Sequence, residues 1–166
     1  MVRSCIATFA VETSYVYDPL GRKTSQTERD TGTTGYQYNA IGEIIVQTDS
    51  ANHRIESHHD ARGRVWRQRA YRWTGSAHSL ESTTQVVFDT LVRGARTSDS
   101  ISGSTGSQSR SYGYDGLGRP IRRDSTMGGR TYREQTQYDS LGRPWKNQDA
   151  TGSWLKQAYD ARGFAT

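Results

Sequence analysis

The sequence predicts an all-β fold, an array of antiparallel β-hairpins. Three observations predict it. A six-residue unit, Tyr114-Asp115-Gly116-Leu117-Gly118-Arg119, returns as Tyr138-Asp139-Ser140-Leu141-Gly142-Arg143 and, earlier, as Tyr17-Asp18-Pro19-Leu20-Gly21-Arg22. Its aromatic position recurs at 17, 38, 59, 88, 114, 138 and 159, most often with a step of 21 residues, which fits two short strands and two turns. The composition agrees. Leu, Ile, Val and Phe make up only 24 of 166 residues, while ten Tyr, four Trp and 17 Gly favour strands and turns over helices.

The unit reads as a hairpin tip. Asp accepts backbone N–H bonds two residues on, and Gly three residues later permits the positive φ of a type I turn closed by a bulge. The aromatic ring packs on one sheet face, and a Tyr hydroxyl needs a polar end. The Arg opens the next strand, its stem free to cover a ring while its head reaches a carboxylate. The recurring Asp is therefore structural before it is chemical.

Taken in order, residues 1–14 form a lead strand, with Cys5, Ala7, Phe9 and Val11 on one face by alternation. Residues 15–166 hold seven copies. The first is Tyr17, Asp18, Gly21 and Arg22; its return strand runs from Lys23 to Asp30, and residues 31–35 turn the chain back. The second is Tyr38, Asn39 and Gly42, with Glu43 in place of Arg. The third is His59, Asp60, Gly63 and Arg64, followed by a cationic strand over 65–73 and an expanded polar loop over 74–84. The fourth keeps Phe88, Asp89 and Arg93 but has Val92 where Gly belongs, so its turn must differ, since Val resists positive φ. Residues 97–111 are low in complexity and read as a mobile loop. The fifth and sixth copies are Tyr114, Asp115, Gly118, Arg119 and Tyr138, Asp139, Gly142, Arg143. The seventh is Tyr159, Asp160 and Gly163. Two residues before the aromatic slot stand Tyr15, Tyr36 and Tyr112, which face the same side as the slot in a strand.

The net charge of +5 is modest for this length. A single cysteine allows neither an internal disulfide nor a cysteine-based metal cluster. No apolar run reaches the roughly 18 residues of a membrane helix, and residues 5–11 lack a persuasive cleavage site for a signal peptide.

Repeated Tyr-Asp-x-x-Gly-Arg at this spacing resembles the RHS/YD-repeat family, which includes polymorphic Rhs toxins, shell components of insecticidal toxin complexes and teneurins. The resemblance covers residues 15–164. It implies a curved strip, part of a shell, that encloses or presents a toxin or passenger. It implies further RHS repeats or an enclosed polypeptide as partners, a secreted or cell-surface setting, and in some members carbohydrate binding. Seven repeats would make only an arc of such a shell. The self-cleavage element Asp-Pro-x-Gly-Leu is lacking: Asp18-Pro19-Leu20-Gly21 ends in Arg22 and is an ordinary tip. The array stops mid-repeat, which fits a fragment, a truncated open reading frame or an excised piece.

Sites with chemistry of their own are sparse. His58 and His59 point to opposite strand faces and cannot easily share a metal, and His53 and His59 would need a turn to bring them together. The Asp residues recur at nearly every tip, which argues for turn capping over a glycosidase pair. No nucleophile elbow or phosphate loop occurs. No catalytic, cofactor or metal residue is assigned, and the expectation is a non-enzymatic scaffold without cofactor. Trp66, Tyr71 and Trp73, beside Arg64, Arg67, Arg69 and Arg72, suit ring stacking on a polysaccharide or a single-stranded nucleic acid. Alternation places Trp66 and Arg72 on one face and Arg67, Arg69, Tyr71 and Trp73 on the other, which weighs against nucleic acid.

Overall fold

The computed structural model describes residues 13–166. They form one antiparallel sheet of thirteen strands in strict chain order. The strands are β1 (Thr13–Tyr17), β2 (Lys23–Glu28), β3 (Gly32–Tyr38), β4 (Ile44–Thr48), β5 (Arg54–His59), β6 (Val65–Trp73), β7 (His78–Phe88), β8 (Arg96–Gly103), β9 (Gly106–Tyr114), β10 (Pro120–Met127), β11 (Arg130–Tyr138), β12 (Pro144–Gln148) and β13 (Trp154–Lys156). Each pairs only with its sequence neighbours, so all contacts between copies are nearest-neighbour contacts.

Not one described residue is buried. A single sheet whose two faces carry so few Leu, Ile, Val and Phe side chains has no second layer to close a core. Its order rests on the backbone ladder and on cross-strand side-chain pairs, each contributing about 0.2–1 kcal/mol.

Several expectations are corrected. Residues 78–88 of the supposed loop at 74–84 and beyond are β7: Thr74 and Ala77 close a tight turn, and His78 then pairs with Trp73. The supposed loop at 97–111 is the β8–β9 hairpin, whose ladder from Ser98↔Ser111 to Gly103↔Gly106 is mostly Ser–Ser and Gly–Gly pairs, with Asp99↔Arg110 and Ile101↔Gln108 between them. Low complexity misled because backbone pairing, unlike core packing, does not need large side chains. The turn after β2 falls at residues 29–31, and residues 32–38, which take in most of the turn expected at 31–35, are β3. Of the lead strand, only Thr13 and Ser14 are described, both in β1; Cys5, Ala7, Phe9 and Val11 lie outside the described residues.

The hairpin register carries a further irregularity. In each of the six hairpins whose tip carries an aromatic slot, from β1–β2 to β11–β12, the strand after the tip holds one extra residue opposite the slot: Thr24, Ile45, Trp66, Thr97, Ile121 and Trp145. Such a bulge resets alternation. Lys23 and Gln26, three apart, thus share a face, with Lys23 Nζ 2.6 Å from Gln26 Oε1.

Candidate functional site

The tips follow one plan. In the Asp115 copy, one carboxylate oxygen accepts the N–H of Leu117 (3.0 Å) and of Arg119 (2.9 Å), and the other accepts Arg119 Nε–H at 2.7 Å. Gly118 sits at φ +78° and donates to the Asp115 carbonyl. Asp18, Asp60 and Asp139 repeat these bonds with Arg22, Arg64 and Arg143. Asp160 accepts the N–H groups of Arg162 and Phe164. Backbone N–H bonds at the strand-opening Arg hold the Asp18, Asp115 and Asp139 carboxyls below the usual range; for Asp60 the Arg64 side chain leads.

The Arg of each regular copy then reaches the next copy. The guanidinium carbon of Arg22 lies 4.9 Å from the ring centroid of Tyr38, that of Arg119 4.3 Å from Tyr138, and that of Arg143 4.3 Å from Tyr159. The ring's hydroxyl closes the joint by donating to the carbonyl just after that Arg. Tyr38 reaches Lys23, Tyr138 reaches Pro120 and Tyr159 reaches Pro144, at 2.6, 2.8 and 2.5 Å. The unit is therefore completed across copies: Asp fixes its own Arg, and that Arg clamps the following Tyr.

The altered copies are altered as sets. Asn39 still accepts from the N–H groups of Ile41 and Glu43, while its amide donates to Glu43 Oε2 at 2.6 Å. Glu43 meets His59, not a tyrosine, with Oε2 3.7 Å from Nδ1. Asp, Arg and Tyr have become Asn, Glu and His, and the polarity of the joint is reversed. At the next joint Phe88 has no hydroxyl to donate. Arg64 still covers its ring at 4.2 Å, but Arg62 and Arg64 also grip Asp89, which takes φ +65°. The Arg64 side chain drives the Asp89 carboxyl far below the usual range.

Arg93 needs correction. The fourth turn is longer, Gly94 takes the positive φ at +86°, and Ala95 stands where the other copies place Arg. Arg93 is exposed on the turn. Tyr114 still donates to the following carbonyl, that of Arg96, at 2.7 Å.

Two tips of the same design on the opposite edge escaped the sequence reading. Asp49 caps residues 51 and 53 with Asn52 at φ +61°, and Asp149 caps residues 151 and 153 with Gly152 at φ +91°. The Asp-x-x-Gly spacing at 149–152 was a readable signal; no aromatic slot marks it.

The stacking candidates come together differently from the alternation pattern. Trp66 is the bulge residue of β6. Its ring lies 5.9 Å from that of His58, and the Arg67 guanidinium carbon is 4.8 Å from the Trp66 ring. Arg67 also meets His58 Nε2 at 3.2 Å. Trp66 therefore joins Arg67, and regular alternation carries Arg69, Tyr71 and Trp73 along the same face, leaving Arg72 opposite. Burial, aided by Arg67 and Arg69, pushes the His58 pKa down. Glu56 is committed to Arg54 and to the Tyr71 hydroxyl. His53 pairs with Asp49, so the three histidines 53, 58 and 59 have separate partners. Among the described residues no three His, Cys, Asp or Glu side chains gather as a metal site would require.

No protein-family profile matches the sequence, and no curated protein matches it. Solved structures do. The crystal structure of TcdB2-TccC3 superposes with a TM-score of 0.71 at 13% identity, covering 93% of this chain and 9% of that one. A Photorhabdus luminescens Tc holotoxin pore, with a TccC3 mutation, gives 0.59 at 14% identity, covering 93% of this chain and 8% of that one. This chain thus spans less than a tenth of the solved chains it resembles. At such identity the likeness is one of fold: the chain is similar to an antiparallel β-strip present in these Tc toxin structures.

Proposed function

We propose that this chain is a non-enzymatic wall element, a section of an RHS-type shell that encloses or presents a toxin or other passenger polypeptide. Its partners are further repeats and that passenger, in a secreted or cell-surface setting. The observation that carries the reading is the clamp by which Arg22, Arg64, Arg119 and Arg143 each hold the following copy in a sheet without a core. Such an array is built to be extended and covered.

Two further features support it. The tips on one edge display Leu20, Ile41, Leu91, Leu117 and Leu141 at 63–79% exposure, a row of apolar side chains along one rim. The Asp carboxyls at the regular tips are held low, whereas a glycosidase acid needs a raised pKa.

Size-exclusion chromatography with light scattering tests this reading. A wall element with an apolar rim and open faces associates as its concentration rises. A compact monomer that persists at high concentration contradicts it.

A further inference from the structure

The β6 face gathers what the sequence pattern divides. Trp66, Arg67, Arg69, Tyr71 and Trp73 line one side of a strand that pairs with uncharged residues across β7: Arg67 faces Gln85 and Arg69 faces Thr83. The carboxylate on this face of β5, Glu56, is taken by Arg54 and Tyr71. His58 accepts from Arg67 at Nε2, and partial burial lowers its pKa. The Nε donors of Arg54, Arg67 and Arg69 are buried atoms without a hydrogen-bond partner. Arg69 stands opposite Glu56 on β5, a carboxylate it shares with Arg54 and Tyr71, whereas Arg67, between His58 and Gln85, faces no carboxylate on either neighbouring strand. The two stand two strand residues apart, about 6.6 Å, with Trp66, 37% exposed, at one end and Tyr71 and Trp73 at the other.

We propose that this face binds single-stranded nucleic acid, the two arginines taking backbone phosphates and the rings stacking on bases. The chemistry is complementary in two ways at once. Guanidinium groups match phosphate oxygens, and a sheet face bearing aromatic rings is a stacking surface for unpaired bases, which all have a π face. An acidic polysaccharide offers the anions but no aromatic bases, and it forms the competing outcome.

The experiment is fluorescence anisotropy of the full chain with a labelled oligothymidine of about 15 nucleotides. Expected is binding whose logarithm falls with log salt at a slope of about −1.4, two phosphates at about −0.7 each. Trp66→Ala should weaken it about five-fold or more, and Arg67→Ala with Arg69→Ala about ten-fold or more. An oligonucleotide of the same length with abasic sites, tested on the unaltered chain, should also bind about five-fold or more weakly. That arm needs no variant to fold. No binding to the oligothymidine, abasic binding that is undiminished, or a sulfated polysaccharide that displaces the oligothymidine at equal charge concentration overturns the proposal.

Discussion

Arg119 and Tyr138 belong to successive copies, yet the guanidinium carbon of one lies 4.3 Å from the ring centroid of the other. Asp115 holds that guanidinium from behind, and the Tyr138 hydroxyl donates to the Pro120 carbonyl beside it. In the regular units one residue, the Arg, therefore closes a turn and also fastens the next hairpin.

Removing either side of the clamp should loosen the array. Arg119→Ala gives up the cation–π contact, an expected loss of about 0.5–1 kcal/mol. Tyr138→Phe keeps the ring and loses one hydrogen bond, about 1 kcal/mol. Urea unfolding measures both. Stabilities equal to the parent chain would mean that the copies are held by backbone pairing alone.

The reversed joint predicts a rescue. Arg143→Glu sets a carboxylate against Asp139, and Tyr159→His removes the ring that Arg143 covers. Each alone should lower the melting temperature. Combined with Asp139→Asn, they rebuild the arrangement of Asn39, Glu43 and His59 and should recover much of the loss. A triple variant no more stable than the sum of its parts would show that the Glu43–His59 contact is incidental.

Acid should unfold the strip through its tips. The carboxyls of Asp18, Asp60, Asp115 and Asp139 have folded-state pKa values below their ordinary 3.8. Their contribution is complete above that unfolded value and is lost as the pH falls through the folded one. Melting temperature should thus hold above about pH 4 and drop below it. An amide such as that of Asn39 does not titrate, so Asp139→Asn should lessen the dependence. A melting temperature that stays flat from neutral pH to below the ordinary carboxylate range would remove the tip carboxylates from the account.

Two glycines separate turn geometry from mere turn composition. Gly142 holds φ +81°, and a Cβ there would come within 3.1 Å of Arg119 Nη1. Gly142→Ala should cost about 1 kcal/mol or more. Gly116, also at a tip, has open space around it and no positive φ, so Gly116→Ala should be neutral or slightly stabilising. Thermal denaturation of the pair distinguishes them; equal effects would contradict the turn assignment.

Much of the fold was legible because the repeat encodes local geometry. Asp at one position and Gly three later specify a turn without reference to the rest of the chain. Strand existence in 78–88 and 97–111 was not legible, since Ser, Thr and Gly pair through their backbones and leave no hydrophobic alternation. The bulge at Trp66 was also hidden. It inserts one residue into the ladder without a signature of its own, and it moves that ring to the arginine face. At Arg93 the motif matched by letter, but the added turn residues shifted Gly94 and Ala95 into the working positions. The clamp between copies lay beyond local reading, because Arg119 and Tyr138 meet only when the hairpins pair.

The most direct measurement is far-UV circular dichroism with thermal melting of the full chain and of chains shortened by one hairpin at a time. Coupling between neighbouring copies predicts a β spectrum and a cooperative transition whose midpoint falls with each hairpin removed. A midpoint independent of hairpin number would contradict the clamp as the source of order.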